Sequence, residues 1–146
     1  MIRVLPCVFA CVALSLAGCG DDPSGKPAPG DAGAQMAENE HGERRALGSL
    51  TVAGHTFEVI QFGDVAPGAD PAVDLEWPAG AVRPAVVRAW IGVESAVGSR
   101  KALLQKEGDR VVHGHLDVPK DLPADSRLWI EIEDGERKGT GSIAWR

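Results

Sequence analysis

The most chemically suggestive stretch of this 146-residue chain is the HGHLD segment at residues 113–117. Residues two apart in a β-strand share a face, so an extended conformation predicts His113, His115 and Asp117 in one row. Imidazole nitrogens with a carboxylate oxygen suit zinc or copper(II). The row is therefore a candidate metal site, which His55 would join if its strand were a neighbour. The alternative is a solvated sheet face that binds nothing specific.

The remaining polar residues form no recognisable catalytic motif. The chain has no Gly-x-Ser-x-Gly elbow and no Ser-x-x-Lys sequence. The glycine-rich residues 139–142 precede an apolar strand rather than a helix, so they do not predict a phosphate loop. Two carboxylate pairs, Asp74 with Glu76 and Glu131 with Glu133, are explained by solvated strand faces. We therefore do not expect an enzyme.

Two tryptophans are candidates for contact with a protein partner. Trp90 and Trp129 lie on predicted strand faces that also carry charged side chains. An exposed tryptophan among charges can be a binding hot spot. The alternative is that the second sheet or a loop covers each indole.

Short strands must position all of these residues. Runs rich in β-branched and aromatic residues alternate with turn signals, as in all-β sandwiches, and no segment has helical periodicity. Val73, Leu75 and Trp77 alternate with acids, and the apolar strand that follows is predicted to be central. Asp134-Gly135 predicts a hairpin with a type I′ turn. Eight strands are predicted, over residues 49–53, 55–62, 72–77, 84–93, 101–106, 110–118, 127–133 and 139–145.

These strands predict an antiparallel, immunoglobulin-like β-sandwich, because two packed sheets bury one face of every strand. The layout of short strands, few tryptophans and a basic C-terminal end loosely resembles small periplasmic immunoglobulin-like domains of the YtkA type. That resemblance implies a non-catalytic domain of the cell envelope.

The first residues have the parts of an export signal. Arg3 supplies the positive region, and the apolar run over residues 4–16 is too short to span a bilayer. The sequence Leu-Ala-Gly-Cys that ends at Cys19 resembles the lipobox of bacterial lipoproteins. The resemblance implies a signal peptide over residues 1–18, cleavage before Cys19, a diacylglycerol thioether on its sulfur and acylation of the new amine. More than one acyl chain gives stable membrane attachment.

The other two cysteines leave with the signal peptide, so the mature chain has no thiol for a disulfide or a thiolate metal site. Gly20 follows the lipidated cysteine, where an aspartate commonly favours the inner membrane. We therefore expect a lipid-anchored protein of the bacterial envelope, on the outer membrane and facing the periplasm.

Residues 20–46, after Cys19, are dominated by proline, glycine, alanine and charge, and predict a disordered linker with a reach of about 30 Å. The domain is expected over residues 47–146. Loss of Arg3 leaves 14 basic and 21 acidic side chains, a formal charge of −7. Nucleic acid is therefore not an expected partner.

The sequence favours a membrane-anchored lipoprotein whose domain has a non-catalytic binding or structural role, without a cofactor and with an envelope protein as its partner. The alternative function is binding of copper or zinc through His113 and His115.

Overall fold

The computed structural model of the protein describes residues 41–146. The predicted signal peptide, the predicted lipidation site Cys19 and the predicted linker up to residue 40 lie outside the described residues. Within residues 41–146 the chain is all β, and no helix there has the length and apolarity to cross a membrane.

Nine strands form the domain. They are β1 (Arg44–Val52), β2 (His55–Phe62), β3 (Ala72–Glu76), β4 (Val86–Gly92), β5 (Ala102–Leu103), β6 (Gln105–Glu107), β7 (Val111–His115), β8 (Arg127–Asp134) and β9 (Arg137–Ile143). One sheet has the order β1-β2-β3-β7-β6, and the other has the order β5-β4-β8-β9. All strand pairs are antiparallel. The predicted β-sandwich is therefore confirmed.

The core lies between the two sheets and contains the side chains that the alternation predicts. Val73, Leu75 and Trp77 are buried, as are the inward residues of β8 (Leu128, Ile130 and Ile132). Full burial of one such aliphatic side chain contributes about 1.5–3 kcal/mol, so this shared face stabilises the sandwich without disulfides. Strand β4 is internal to its sheet, as predicted.

The strand predicted over residues 101–106 is divided between the two sheets. β5 pairs with β4, whereas β6 pairs with β7. Leu104 lies between them, is 5% exposed and donates its backbone N–H to the Val87 carbonyl at 2.9 Å. The prediction of one continuous strand was wrong, because burial of Leu104 between the sheets moves the chain from one sheet to the other. Gly114 of β7 leaves space for the Leu104 side chain, since a Cβ there would lie 2.7 Å from Leu104 Cδ2.

Two hairpin turns differ in their backbone angles. In the β1–β2 turn, Ala53 and Gly54 have φ values of 50° and 83°, the two positive values of a type I′ turn. The predicted β8–β9 hairpin is confirmed, but Asp134 is the last residue of β8, and Gly135 and Glu136 form the turn. Only Gly135 has a positive φ, 63°, the pattern of a type II′ turn. The type I′ prediction was wrong, because Asp134 stays in the ladder.

Strand β1 begins at Arg44, before the domain start predicted at Leu47. The Arg45 guanidinium lies 2.7 Å from a carboxylate oxygen of Glu43 and 2.7 Å from one of Asp64. The pair with Asp64 connects the start of β1 to the segment after β2. Residues that resemble a linker in composition are therefore part of the sheet.

Candidate metal centre

The register of β3 and β7 builds the site. Asp74 pairs with His113, and Ala72 pairs with His115. Because alternate residues point to the same side of a sheet, both histidines and Asp74 lie on its outer face. The partner strand β3 therefore supplies a carboxylate to the histidine row, and the prediction that His113 and His115 share a face is confirmed.

A third imidazole completes the group. His41 lies before β1, and its ring centroid is 6.3 Å from that of Phe62. It is also 5.0 Å from the ring of His113 and 5.2 Å from that of His115, while the two β7 rings are 5.6 Å apart. One ring nitrogen of each histidine lies within 4.8 Å of the other two. We call His41, His113 and His115 the three-imidazole cluster.

Two of these imidazoles have hydrogen-bond partners at Nδ1. Asp74 Oδ1 is 2.7 Å from His113 Nδ1. The partner of His115 Nδ1 is the Asp70 backbone carbonyl at 3.4 Å, and the Asp70 carboxylate lies 3.3 Å from the same nitrogen. When Nδ1 donates its hydrogen to a carboxylate, Nε2 carries the lone pair and can bind a metal. The carboxylate also makes the imidazole a better electron-pair donor to a metal. Glu107 adds a further negative charge, 3.8 Å from His113 Nδ1.

The geometry fits an open site. Nitrogen ligands of a tetrahedral zinc ion lie about 2.0–2.1 Å from the metal and hence about 3.3 Å from each other. The three ring nitrogens of the cluster all lie within 4.8 Å of one another. Three protein ligands leave a fourth position for water or for a group from another molecule. His115 is 46% exposed, so that position faces solvent.

The structure does not bring Asp117 to the cluster. Strand β7 ends at His115, and the Asp117 carboxylate forms an ion pair with Arg100 at 3.1 Å. The predicted row of three residues therefore contains only His113 and His115, because the strand geometry that would align Asp117 ends two residues too early.

His55 lies at the opposite end of its sheet from the cluster. It pairs with Val52 at the start of β2, five residues before Ile60, which pairs with Asp74. At about 3.3 Å per residue, this places it about 17 Å away along the strand. His55 is buried, and its Nε2 is 3.0 Å from Asp134 Oδ2. This hydrogen bond, with a smaller effect from Arg137, lowers the pKa of Asp134. His55 connects the two sheets instead of joining the cluster.

His41 is the member of the cluster that the sequence did not single out. It lies within a stretch whose composition indicates a linker, and its proximity to residue 113 follows from the pairing of four strands, β1-β2-β3-β7. No local pattern reports that pairing. The three neighbouring carboxylates were missed for the same reason.

The two candidate tryptophans stack on each other, with centroids 6.3 Å apart. Trp90 is 1% exposed, it donates Nε1–H to the Val93 carbonyl, and Lys101 Nζ lies 4.3 Å above its ring. It therefore presents no surface to a partner. Trp129 is partly buried and donates Nε1–H to the Gly92 carbonyl at 2.9 Å.

An ion-pair network covers the same sheet face. Glu131 is 7% exposed, although its strand position is on the outer side, because its carboxylate contacts Lys101 at 2.8 Å and Arg88 at 3.2 Å. The Lys101 hydrogen bond lowers the pKa of Glu131, against the opposing effect of burial. Glu133 pairs with Arg88 and Lys138. Cations thus compensate both members of this carboxylate pair.

No protein-family model, curated protein or solved structure matches this chain in sequence or fold comparison.

Proposed function

We propose that this protein is a lipid-anchored envelope protein whose β-sandwich binds a divalent transition-metal ion at the three-imidazole cluster. The observation that carries the proposal is the convergence of three imidazoles, with His113 hydrogen-bonded through Nδ1 to the Asp74 carboxylate and His115 through Nδ1 to the Asp70 backbone carbonyl. This arrangement supplies both the ligands and the groups that orient them.

The donor set indicates the class of metal. Imidazole nitrogens without any thiolate or thioether favour zinc(II) or copper(II) over copper(I). The neighbouring carboxylates of Asp70, Asp74 and Glu107 add negative charge, which favours a divalent cation. The open fourth position permits exchange of the ion, as expected of a module that binds or carries metal rather than of a closed structural site.

Calorimetric titration of zinc(II) and copper(II) into the full chain in detergent tests the proposal. We expect one ion per chain at micromolar affinity or better, with loss of binding in the His113→Ala/His115→Ala variant. The Asp117→Asn variant is the matched control, because its carboxylate pairs with Arg100 outside the cluster. Weak binding that survives the double substitution would refute the metal function.

The anchor has its own test. Cys19 is proposed to carry the lipid, so wild-type protein should incorporate a labelled fatty acid, whereas Cys19→Ser protein should not. Absence of the label from both proteins, or equal label in both, would refute the anchor and would leave the metal site unaffected.

A protein-binding role is the second candidate, and one observation favours it. Trp129 lines a surface cleft with Val93, Ser95 and the carboxylates of Glu94 and Asp125. An aromatic edge beside two acids suits a basic segment of an envelope protein. Site-specific crosslinking from position 94 in the envelope, with Trp129→Ala as comparison, tests it: crosslinks that persist in the variant would argue against Trp129.

A further inference from the structure

His41 belongs to a short piece of chain that enters the domain before the first sheet hydrogen bonds. The β1–β2 ladder begins with the pair Arg44 and Phe62. We call residues 41–43 the entry segment. Its backbone is held by one bond, from the Gly63 N–H to the Glu43 carbonyl at 3.1 Å, and it passes so close to Gly63 that a Cβ on Gly42 would lie 2.9 Å from Gly63 Cα. A segment with a single backbone hydrogen bond to the sheet opens more readily than the ladder that follows it.

We infer that a metal ion at the three-imidazole cluster fastens the entry segment to β7, and that it thereby controls whether proteases can cut the domain from its anchor. The inference rests on the proposed metal function and adds its regulatory consequence. The ion joins His41, on the anchor side of β1, to His113 and His115, three strands away in the sheet.

The cleavage site lies directly beside the entry segment. Arg44 and Arg45 are the first two residues of β1; Arg44 is exposed, and the Arg45 side chain is 25% exposed. Between Cys19 and Leu47 the only other lysine or arginine is Lys26, and the proline after it makes that bond a poor substrate for trypsin-like proteases. Cleavage after Arg44 or Arg45 therefore separates the domain from the lipid.

A protease needs an extended stretch of chain, so it can cut here only after the start of β1 leaves β2. That opening carries His41 away from His113 and His115. When the ion is bound, opening of β1 also removes His41 from the ion, so the bound ion opposes opening. The metal site of the opened protein then has the same two histidines as the metal site of a His41→Ala protein.

Linkage gives the size of the effect. The factor by which saturating metal slows cleavage equals the ratio of the metal dissociation constants of the His41→Ala and wild-type proteins, because both quantities measure the contribution of His41 to binding. Removal of groups that merely orient a ligand costs about 10–100-fold in metal affinity. We therefore expect at least about tenfold slower cleavage for loss of a direct ligand.

The experiment uses the mature lipidated protein, which begins at Cys19, in phospholipid vesicles. Zinc(II) is added above the dissociation constant of each protein, and trypsin is kept dilute so that cleavage samples the opening equilibrium. Mass spectrometry follows released fragments that begin at Arg45 or Ala46. Three proteins are compared: wild type, His41→Ala, and His113→Ala/His115→Ala. Zinc binding is measured on the same samples, and an unrelated peptide substrate reports any effect of zinc on trypsin itself.

We expect zinc to slow the rate of release of the wild-type domain by the ratio of the His41→Ala and wild-type dissociation constants. Zinc should leave the release rates of both variants unchanged. If zinc binds through His41 but cleavage keeps its rate, the regulatory inference is wrong and the metal function stands. Equal protection of wild-type and His41→Ala proteins also refutes it, since the entry segment would then not be the element held. Absence of zinc binding refutes both proposals.

Discussion

Replacement of Asp74 by asparagine isolates the contribution of an orienting carboxylate to the proposed metal site. The Asp74 side chain is 18% exposed, and its Oδ1 lies 2.7 Å from His113 Nδ1. Asparagine has nearly the same shape and still offers an oxygen to the Nδ1–H group. It removes the negative charge, so the hydrogen bond becomes neutral and the imidazole becomes a weaker donor through Nε2.

The magnitude follows from the strength of that bond. A neutral hydrogen bond contributes about 1 kcal/mol, and a charge-assisted one is roughly twice as strong. The Asp74→Asn substitution therefore costs about 1–1.5 kcal/mol of binding free energy, which raises the dissociation constant about tenfold. This lies at the lower end of the 10–100-fold range seen for residues that orient metal ligands.

Zinc calorimetry at one pH and in one weakly coordinating buffer measures this difference, with Asp117→Asn as the control that makes the same chemical change outside the cluster. Nitrogen chemical shifts of His113 report whether Nε2 remains the unprotonated ring nitrogen. If Asp74→Asn binds zinc as tightly as wild type while His113→Ala loses binding, the orienting role of Asp74 is refuted. Equal weakening by Asp117→Asn would show a general charge effect instead.

Three further predictions concern stability. Zinc at 100 times its dissociation constant adds about 2.7 kcal/mol to the free energy of unfolding and raises the melting temperature by about 10 °C. Scanning calorimetry of wild type and of the His113→Ala/His115→Ala variant measures this rise. An equal rise in both proteins would contradict the site. Gly114→Ala forces the buried Leu104 side chain to move and lowers the free energy of unfolding by about 1–3 kcal/mol, as measured by urea unfolding. If Gly114→Ala costs as much in a Leu104→Ala background as in wild type, the assigned contact is contradicted. The Lys101 contact lowers the folded-state pKa of Glu131, so its contribution is present above the unfolded carboxyl pKa of about 4.3 and is lost as the pH falls through the folded value. Wild type should therefore lose more stability than Glu131→Gln between about pH 5 and pH 3, and parallel losses would contradict this.

The strands and their buried faces could be predicted because the two-residue period of a strand is a local property. Val73, Leu75 and Trp77 alternate with acids, and the same rule places Ile130 and Ile132 in the core. Gly54 and the Asp134-Gly135 pair locate two turns for equally local reasons. The change of sheet at Leu104 was not predictable, since both halves of that segment have the composition of one strand.

In the candidate site, too, only the residues that are close in sequence could be predicted. The pair His113 and His115 is visible as a spacing, whereas His41, Asp70 and Asp74 reach it only through pairing between strands distant in sequence. His55 was an equally reasonable third ligand by residue type. Register decided between them, because it places the start of β2 far from β7 and its end close to the entry segment.

The backbone at Arg146 lies beside the point where the chain enters the domain. Its carbonyl accepts hydrogen bonds from Gln61 Nε2 at 2.6 Å and from Arg45 Nη1 at 3.2 Å. The turns after β1 and β8 lie together at the other end, where His55 meets Asp134. Mechanical tension applied between the entry segment and Arg146 would therefore first load this small group of contacts, while the two sheets carry little of the force. The two ends of the described chain lie at the same end of the sandwich, and a polypeptide joined after Arg146 would begin next to the start of β1.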